Sequence, residues 1–278
     1  MVFIMNKTVL GIDIGGSTTK IVGFDRDGNI LEPMSVKAAD PVTSFYGAFG
    51  TFTSKNSIEL GDVGRVMVTG VGASQIKNPV YGLTCESIPE FTCIGRGGLY
   101  LSGFERAIVV SMGTGTAIVY AEKDKPSAYL GGTGVGGGTI KGLAKKLLGM
   151  DTMQHILELA SEGDLGKVDL RVGDIADPEK MPLNSEMTAA NFGRMSDIAA
   201  PADVALGLVN LVCETVAMCS IFAARKYDCT DIVLTGKLSS GEIPERLFGS
   251  LSQMFGVNFF IPHNAGFGTV IGAALEAK

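Results

Sequence analysis

The stretch Gly11-Ile-Asp-Ile-Gly-Gly-Ser-Thr-Thr-Lys20 continues an apolar run that begins at Val9. The apolar residues predict a strand, and the paired glycines predict a tight turn into a second strand. Consecutive backbone N–H groups in such a turn can hold phosphate oxygens. Asp13 and Lys20 would place a carboxylate and an ammonium group beside them. The stretch predicts one side of a phosphate site, and a plain Gly-Gly hairpin is the alternative.

Six residues of this stretch are therefore candidates for binding ATP phosphates: Asp13, Gly15, Gly16, Ser17, Thr18 and Lys20. Asp13 is also the candidate for orienting Mg²⁺ through its waters. Mg²⁺ favours a few carboxylates together with phosphates and water, which one strand-end aspartate can supply.

A second glycine turn repeats the pattern of the first. Residues 107–111 are apolar, residues 113–116 read Gly-Thr-Gly-Thr, and residues 117–121 predict the returning strand. The turn is a weak signal alone, but two such turns facing each other form a cleft that can bracket a triphosphate. The predicted contacts of the second turn are Gly113, Thr114, Gly115 and Thr116.

A third glycine cluster, residues 131–138, contains the spacing G-x-G-x-x-G and precedes a predicted helix over 139–148. A dinucleotide-binding unit would need a further strand after that helix. Instead, Asp151 is predicted to cap another helix, so this class of site is excluded. A glycine-rich helix N-terminus can still hold phosphate or lie under a nucleotide. The candidates are Gly136, Gly137 and Gly138.

Two further residues, Glu90 and Gly236, are candidates for the site, and for each a purely structural role is the alternative. Glu90 lies in the first turn of a helix predicted from Pro89 to Leu101, and it could accept a proton from a substrate hydroxyl. A first-turn glutamate is also favoured by the helix dipole alone, and Glu86 is a nearby competitor. Gly236 ends a predicted strand, where it could border an adenosine pocket or serve as a plain connection.

The composition narrows the class of protein. The chain has 278 residues, of which 46% are hydrophobic, and a net charge of -6, so it has no general attraction for nucleic acid or an anionic membrane. Its five cysteines form no C-x-x-C pair, and the two histidines are isolated. In the sequence, no apolar run approaches the length of a transmembrane helix. We therefore expect a cytoplasmic protein.

The order of elements predicts an α/β fold. The strand–turn–strand pattern occurs at 9–25 and again at 107–121. A hairpin is predicted at Asp27-Gly28, and a long helix over 201–227. Residues 168–200 are predicted to be irregular.

These stretches resemble the actin, Hsp70 and sugar kinase superfamily, and within it the type II pantothenate kinases. The first phosphate motif lies at 11–20. The other similar stretches keep the family's order and cover nearly the whole chain: 90–100, 111–116, 132–139, 190–193 and 266–274.

The resemblance implies two actin-like, ribonuclease H-like domains with mixed sheets flanked by helices and the nucleotide in the cleft between them. The first domain would span 1–104, completed by a helix at about 266–278, and the second 105–265. It implies an ATP-dependent and Mg²⁺-dependent pantothenate kinase that makes 4′-phosphopantothenate. It also implies a homodimer, with the long helix as the candidate interface.

By the same resemblance, Glu90 is the base that activates the pantothenate hydroxyl, Asp13 assists Mg²⁺ and Lys20 contacts phosphate. Tyr129 and Thr133 are the candidate acceptor contacts. Family members usually carry an arginine just before the glycine-rich segment, where this chain has Tyr129 and Leu130.

Three alternatives stay open. One is a kinase for a sugar or another small hydroxyl compound in the same fold. Another is a non-kinase ATPase such as an activator of acyl-CoA dehydratases, which needs cysteines to bridge an iron–sulfur cluster. Cys85 and Cys93 are not obviously arranged for that. The last is a nucleotide-binding sensor, against which Glu90 argues.

Overall fold

The computed structural model describes residues 7–16, 18–37, 40–177 and 184–277, which form two five-stranded sheets and a two-stranded ribbon. The strands are β1 (Thr8–Ile14), β2 (Thr18–Phe24), β3 (Ile30–Lys37), β4 (Val63–Thr69), β5 (Cys85–Ser87), β6 (Arg106–Met112), β7 (Thr116–Glu122), β8 (Ala128–Thr133), β9 (Leu170–Arg171), β10 (Thr188–Ala190), β11 (Asp231–Thr235) and β12 (Asn258–Phe260). The helices are α1 (Pro41–Lys55), α2 (Glu90–Ser102), α3 (Gly137–Leu148), α4 (Met153–Ala160), α5 (Val172–Ile175), α6 (Pro201–Lys226), α7 (Glu242–Phe255) and α8 (Gly268–Leu275).

The two sheets are built on one plan. The first has the order β3-β2-β1-β4-β5 and the second β8-β7-β6-β11-β12. In each, the first three strands form an antiparallel meander. The last two strands run parallel to the central strand of the sheet, which is β1 in the first sheet and β6 in the second. The strand–turn–strand repeat in the sequence is thus the visible part of a larger structural repeat. The hairpin predicted at Asp27-Gly28 joins β2 to β3 as expected.

Both faces of the first sheet are covered, which explains why all seven residues of β1 are buried. Leu10 and Ile12 pack with Phe45 on the α1 side, whereas Val9 packs with Val270 of α8 on the other. A strand covered on both faces has an unbroken apolar run. The buried β1 strand therefore holds the turn that follows it in a fixed position.

Helices α2 and α8 cross in close contact, because glycines replace side chains at the crossing. A Cβ atom on Gly97 would overlap the carbonyl oxygen of Gly268, and one on Gly272 would overlap the carbonyl oxygen of Cys93. The α2 helix also packs on the second sheet, where Gly98 meets Val109. This helix therefore links the two sheets, and Glu90 is its first residue.

The long helix α6 corrects one expectation. By length and composition it could cross a membrane, whereas no apolar segment of transmembrane length was expected from the sequence. It is the core helix of the second half: 67% of its most apolar window is buried, and it packs with the second sheet through residues such as Val212 and Leu234.

Two other expectations were wrong in part. Asp151 does not cap α4, because the N-cap residue is Thr152 without a side-chain hydrogen bond, and Asp151 instead lies 3.8 Å from Lys145. The segment 168–200 is not wholly irregular, since it contains β9, β10 and α5. Buried Asp169 ties it to α6 by accepting a 2.9 Å hydrogen bond from Asn210. Such side-chain anchoring leaves no periodic pattern in the sequence.

Candidate active site

A cavity of about 350 Å³ opens where the turns of the two sheets face each other and α2 begins. Most of the predicted site residues line it: Asp13, Gly15, Gly16, Thr18, Lys20, Glu90, Gly113, Thr114, Gly115, Thr116, Thr133 and Gly236. Ser17, predicted with them, lies outside the described residues. Residues that are more than 200 positions apart in the chain therefore meet in one cleft.

The first turn closes the β1–β2 hairpin at the bottom of this cleft. The backbone N–H of Gly15 donates to the carbonyl of Thr18 at 3.1 Å. Gly70 follows β4 with a φ of +90°, and a Cβ there would lie 2.5 Å from the Asp13 carboxylate. A side chain at that position would displace the carboxylate, so the absence of one keeps Asp13 open to the cleft.

The second turn is held in a similar hairpin between β6 and β7. The N–H of Gly113 donates to the carbonyl of Gly115 at 2.9 Å, and the hydroxyl of Thr116 donates to the carbonyl of Val135 at 2.9 Å. The Gly115 N–H enters no such bond within the turn. This turn is thereby fixed opposite the first one.

Gly136, Gly137 and Gly138 of the third glycine cluster support the second turn from behind and are not among the residues that line the cavity. The N–H of Gly137 donates to Gly113 at 2.9 Å, and that of Gly138 donates to Thr114 at 2.8 Å. The N–H of Gly136 donates to the Thr139 hydroxyl at 3.2 Å. All three donors are therefore used within the protein, which leaves these glycines as supports of the phosphate turn.

Asp13, Lys20 and Ser35 form a row across the strands β1, β2 and β3, since Asp13 pairs with Lys20 and Lys20 with Ser35. Asp13 is 8% exposed. Burial raises the pKa of its carboxyl from 3.8 to about 6; Lys20 lowers it, and Glu90 raises it in turn. A cation placed beside Asp13 would restore its ionised form.

Glu90 faces the same cleft from the start of α2. The residue as a whole is exposed, but the cleft wall desolvates its carboxyl, which raises the pKa above its usual value, while Lys20 acts to lower it. Its competitor Glu86 lies on β5 and forms an ion pair of 2.6 Å with Arg65. Glu86 is not among the residues that line the cavity, so the geometry favours Glu90 as the base.

Of the two predicted acceptor contacts, Thr133 lines the cavity and Tyr129 is not among the lining residues. The hydroxyl of Thr133 accepts from the N–H of Val135 at 3.1 Å. The ring of Tyr129 stacks 3.9 Å from that of Phe91, the residue after Glu90. Lys125, the nearest cation before the glycine-rich segment, forms an ion pair with Glu122. The role of Tyr129 as an acceptor contact therefore stays a prediction.

Gly236 lines the cleft with a backbone that only glycine tolerates. Its φ is +92°, and a Cβ there would overlap the Met112 carbonyl. Sequence reasoning missed other lining residues: Gly70, Val71, Ser111, Ala117 and Thr269. Gly70 alone carried a signal, because it ends an apolar run as the first phosphate glycines do.

The described part of the chain contains no group of three or more histidine, cysteine or acidic side chains that could hold a metal ion. Cys93 is fully buried, and burial raises the pKa of its thiol to about 12. Such a thiol is unsuited to bridging a cluster between subunits.

Comparison with solved structures shows the fold. The activator of the 2-hydroxyisocaproyl-CoA dehydratase from Clostridium difficile, solved with ADPNP, matches with a TM-score of 0.68 at 14% identity, over 97% of this chain and 94% of its own. A ROK family glucokinase from Streptomyces griseus, solved with glucose and AMPPNP, matches with a TM-score of 0.60 at 14% identity, over 97% and 99%. The predicted actin-like α/β fold is thus confirmed.

Comparison of sequences is more specific. The family model named Fumble matches residues 106–260. The type II pantothenate kinase of Oceanobacillus iheyensis is 30% identical over 96% of this chain and 99% of its own length. That of Staphylococcus aureus is 26% identical over 97% and 99%. With a model matching more than half of the chain and relatives matching nearly all of it, the chain belongs to the type II pantothenate kinase family.

Proposed function

We propose that this protein is a pantothenate kinase, which transfers the γ-phosphate of ATP to the pantothenate hydroxyl and yields ADP and 4′-phosphopantothenate. The observation that carries the proposal is the meeting of Asp13, Lys20 and Glu90 in one cleft between two glycine turns. The family relation supplies the acceptor, because the relatives are named for pantothenate.

Glu90 acts as the general base. Its carboxylate accepts the proton of the acceptor hydroxyl while the hydroxyl oxygen forms a bond to the γ-phosphorus and the bond from that phosphorus to ADP breaks. A raised pKa suits this role, because a carboxylate of ordinary pKa is a weak base at neutral pH. Lys20 offsets the negative charge that ATP brings beside two carboxylates.

The phosphate chain is held between the two turns. Gly15, Gly16 and Thr18 line the cavity on one side of it, and residues 113–116 line the cavity on the other. The glycines at 136–138 hold the second turn in place rather than contacting phosphate. Gly236 borders the adenosine.

Asp13 fits a magnesium ion that arrives with ATP. It is a single buried carboxylate aimed into the cleft, which suits an ion that keeps most of its waters and binds phosphates. The ion, when bound, neutralises phosphate charge and orients the chain. Asp13 holds its water shell in place, and the raised pKa of its carboxyl falls in the presence of that charge.

The stacked rings of Tyr129 and Phe91 contact the acceptor. In pantothenate, the carbon bonded to the hydroxyl-bearing CH2 group carries two methyl groups, and the exposed rings next to Glu90 in the chain offer them an apolar surface. Thr133 offers a hydroxyl at the same side of the cleft. Recognition at this end is therefore mainly by shape and apolar contact, and less by charge.

We also propose that the protein is a cytoplasmic homodimer. Phe222 lies on α6 and is 58% exposed, although the rest of that helix is largely buried. Met218 and Leu211 lie four and eleven residues before it on the same helix and are partly exposed. An apolar stripe on a core helix is suited to contact with a second copy.

A substrate panel tests the assignment. The purified protein is incubated with ATP, Mg²⁺ and one of three acceptors: pantothenate, N-acetylglucosamine or glucose. ADP release and the phosphorylated product are both measured. Pantothenate should be phosphorylated with the highest kcat/KM. A higher kcat/KM for either sugar would refute the acceptor assignment, and ADP release without any phosphorylated acceptor would indicate an ATPase.

A further inference from the structure

Lys237 belongs to the second sheet's side of the cleft but reaches the first sheet. It follows Gly236 in the turn after β11, and its Nζ lies 3.3 Å from the hydroxyl of Ser35 on β3. Ser35 is the cross-strand neighbour of Lys20. The Lys237 ammonium group therefore extends the row that begins at Asp13, and it comes from a segment 202 residues away.

The backbone on both sides of Lys237 is held by hydrogen bonds. The N–H of Gly236 donates to the Ala265 carbonyl at 2.8 Å, and the N–H of Leu238 donates to the Met112 carbonyl at 3.3 Å. The side chain of Leu238 is buried. These contacts place the backbone of Lys237 directly after Gly236, which lines the cavity, although Lys237 is not itself among the lining residues.

The two lysines differ in the charges around them. Among the ion pairs of the described residues, none includes Lys20 or Lys237. Lys20 lies near the carboxyls of Asp13 and Glu90, whose pKa values it lowers. Burial lowers the pKa of the Lys237 ammonium group, and the charge of Lys20 lowers it further. An anion between the two ammonium groups would relieve their repulsion.

We propose that Lys20 and Lys237 form a two-sided site for the phosphate chain of ATP, with one lysine supplied by each sheet. The inference rests on the proposed kinase function and adds a residue to it. Ser35 holds the Lys237 side chain when ATP is absent, and the phosphate chain takes its place as partner.

The test is the affinity for AMPPNP and for adenosine, measured by calorimetry on folded variants. Lys237→Met should weaken AMPPNP binding about tenfold, the loss of one charge-assisted hydrogen bond, and change adenosine binding less than about twofold. Lys237→Arg should retain most of the affinity. The matched control is Lys55→Met at the end of α1, whose ammonium group pairs with Glu32 and which does not line the cavity, so it should bind AMPPNP like the wild type.

The variant Ser35→Ala distinguishes a role of Lys237 in phosphate binding from a role in holding the two sheets together through its contact with Ser35. If Lys237 acts on phosphate, this variant binds AMPPNP within about twofold of the wild type. The proposal is overturned if Ser35→Ala weakens AMPPNP as much as Lys237→Met does, or if Lys237→Met binds AMPPNP normally. Wild-type protein that binds AMPPNP but leaves pantothenate unphosphorylated would refute the proposed function and leave this inference standing.

Discussion

The ring of Tyr129 lies 3.9 Å from the ring of Phe91, centroid to centroid, with 14° between their planes. Both rings stay partly open to solvent, with 50% of Tyr129 and 38% of Phe91 exposed. Phe91 directly follows Glu90 on α2. In the proposed function this exposed pair offers its apolar surface to the acceptor, so its loss should affect acceptor binding more than ATP binding.

We expect Tyr129→Ala to raise the KM for pantothenate about tenfold, because an aromatic contact and its buried area are lost. The KM for ATP should change less than about twofold. Initial rates measured against each substrate check this. Tyr100→Ala is the control, since Tyr100 is an exposed α2 aromatic that packs edge-on against Phe24. Equal increases in both KM values would contradict an acceptor role.

Glu90→Gln should lower kcat by about 10²- to 10⁴-fold, because the amide cannot take the hydroxyl proton. Binding of AMPPNP should be retained, since the base contacts the acceptor. In the wild type, kcat should fall with decreasing pH as Glu90 becomes protonated, and it should do so above the usual range of a glutamate. Glu86→Gln, which breaks an ion pair outside the cleft, is the control. Normal turnover by Glu90→Gln would exclude it as the base.

The sequence predicted the turns of this site well, because apolar strand and glycine turn are local patterns. Asp13 and the turn at residues 113–116 could be predicted as phosphate contacts without knowing which chain segments meet, and the structure places them in one cavity. The placement of Gly137 could not be predicted in this way, because its N–H donates to the carbonyl of Gly113, 24 positions earlier in the chain. A glycine-rich helix start looks the same in sequence whether its donors face a ligand or the protein.

Lys237 is a residue whose proposed role could not be predicted from the sequence. In the sequence it is one surface lysine after a strand, and no spacing links it to the first phosphate turn. Its meaning depends on a contact with Ser35 across the cleft. The sequence also indicated that α6 is apolar but not that the second sheet and its neighbouring helices would bury it. Long-range packing of this kind leaves no local pattern.

Asp13 should make stability depend on pH. Its pKa is 3.8 in the unfolded chain and about 6 in the folded protein, so the folded state binds the proton more tightly. Linkage then requires the free energy of unfolding to fall as pH rises from about 4 to 6, and to stay lower above that. Asp13→Asn removes this penalty. At pH 7.5 it should raise the free energy of unfolding by about 2–3 kcal/mol while abolishing activity.

Urea unfolding of both proteins without nucleotide and Mg²⁺ measures this difference. At pH 4 the two should unfold at similar urea concentrations, because the Asp13 carboxyl is then protonated and neutral. A difference that does not change between pH 4 and 7.5 would show that the carboxyl is not desolvated in the folded protein.

The crossing of α2 and α8 should tolerate no side chain at Gly97. A methyl group there would overlap the Gly268 carbonyl, which is backbone and cannot rotate away. We expect Gly97→Ala to lower the free energy of unfolding by about 1–3 kcal/mol, as overpacking of a close contact does. Because α2 carries Glu90, the same shift would move the base, so kcat should fall more than the KM for ATP rises.

The matched variant is Gly50→Ala in α1, where a Cβ meets nothing within 4 Å. There the loss of glycine's backbone freedom should stabilise the protein by about 0.5–1 kcal/mol and leave kcat unchanged. Both variants place alanine inside a helix, so helix propensity cancels between them and only the crossing differs. If both stabilise the protein alike, then α2 and α8 are not in close contact, and the crossing cannot be what positions Glu90.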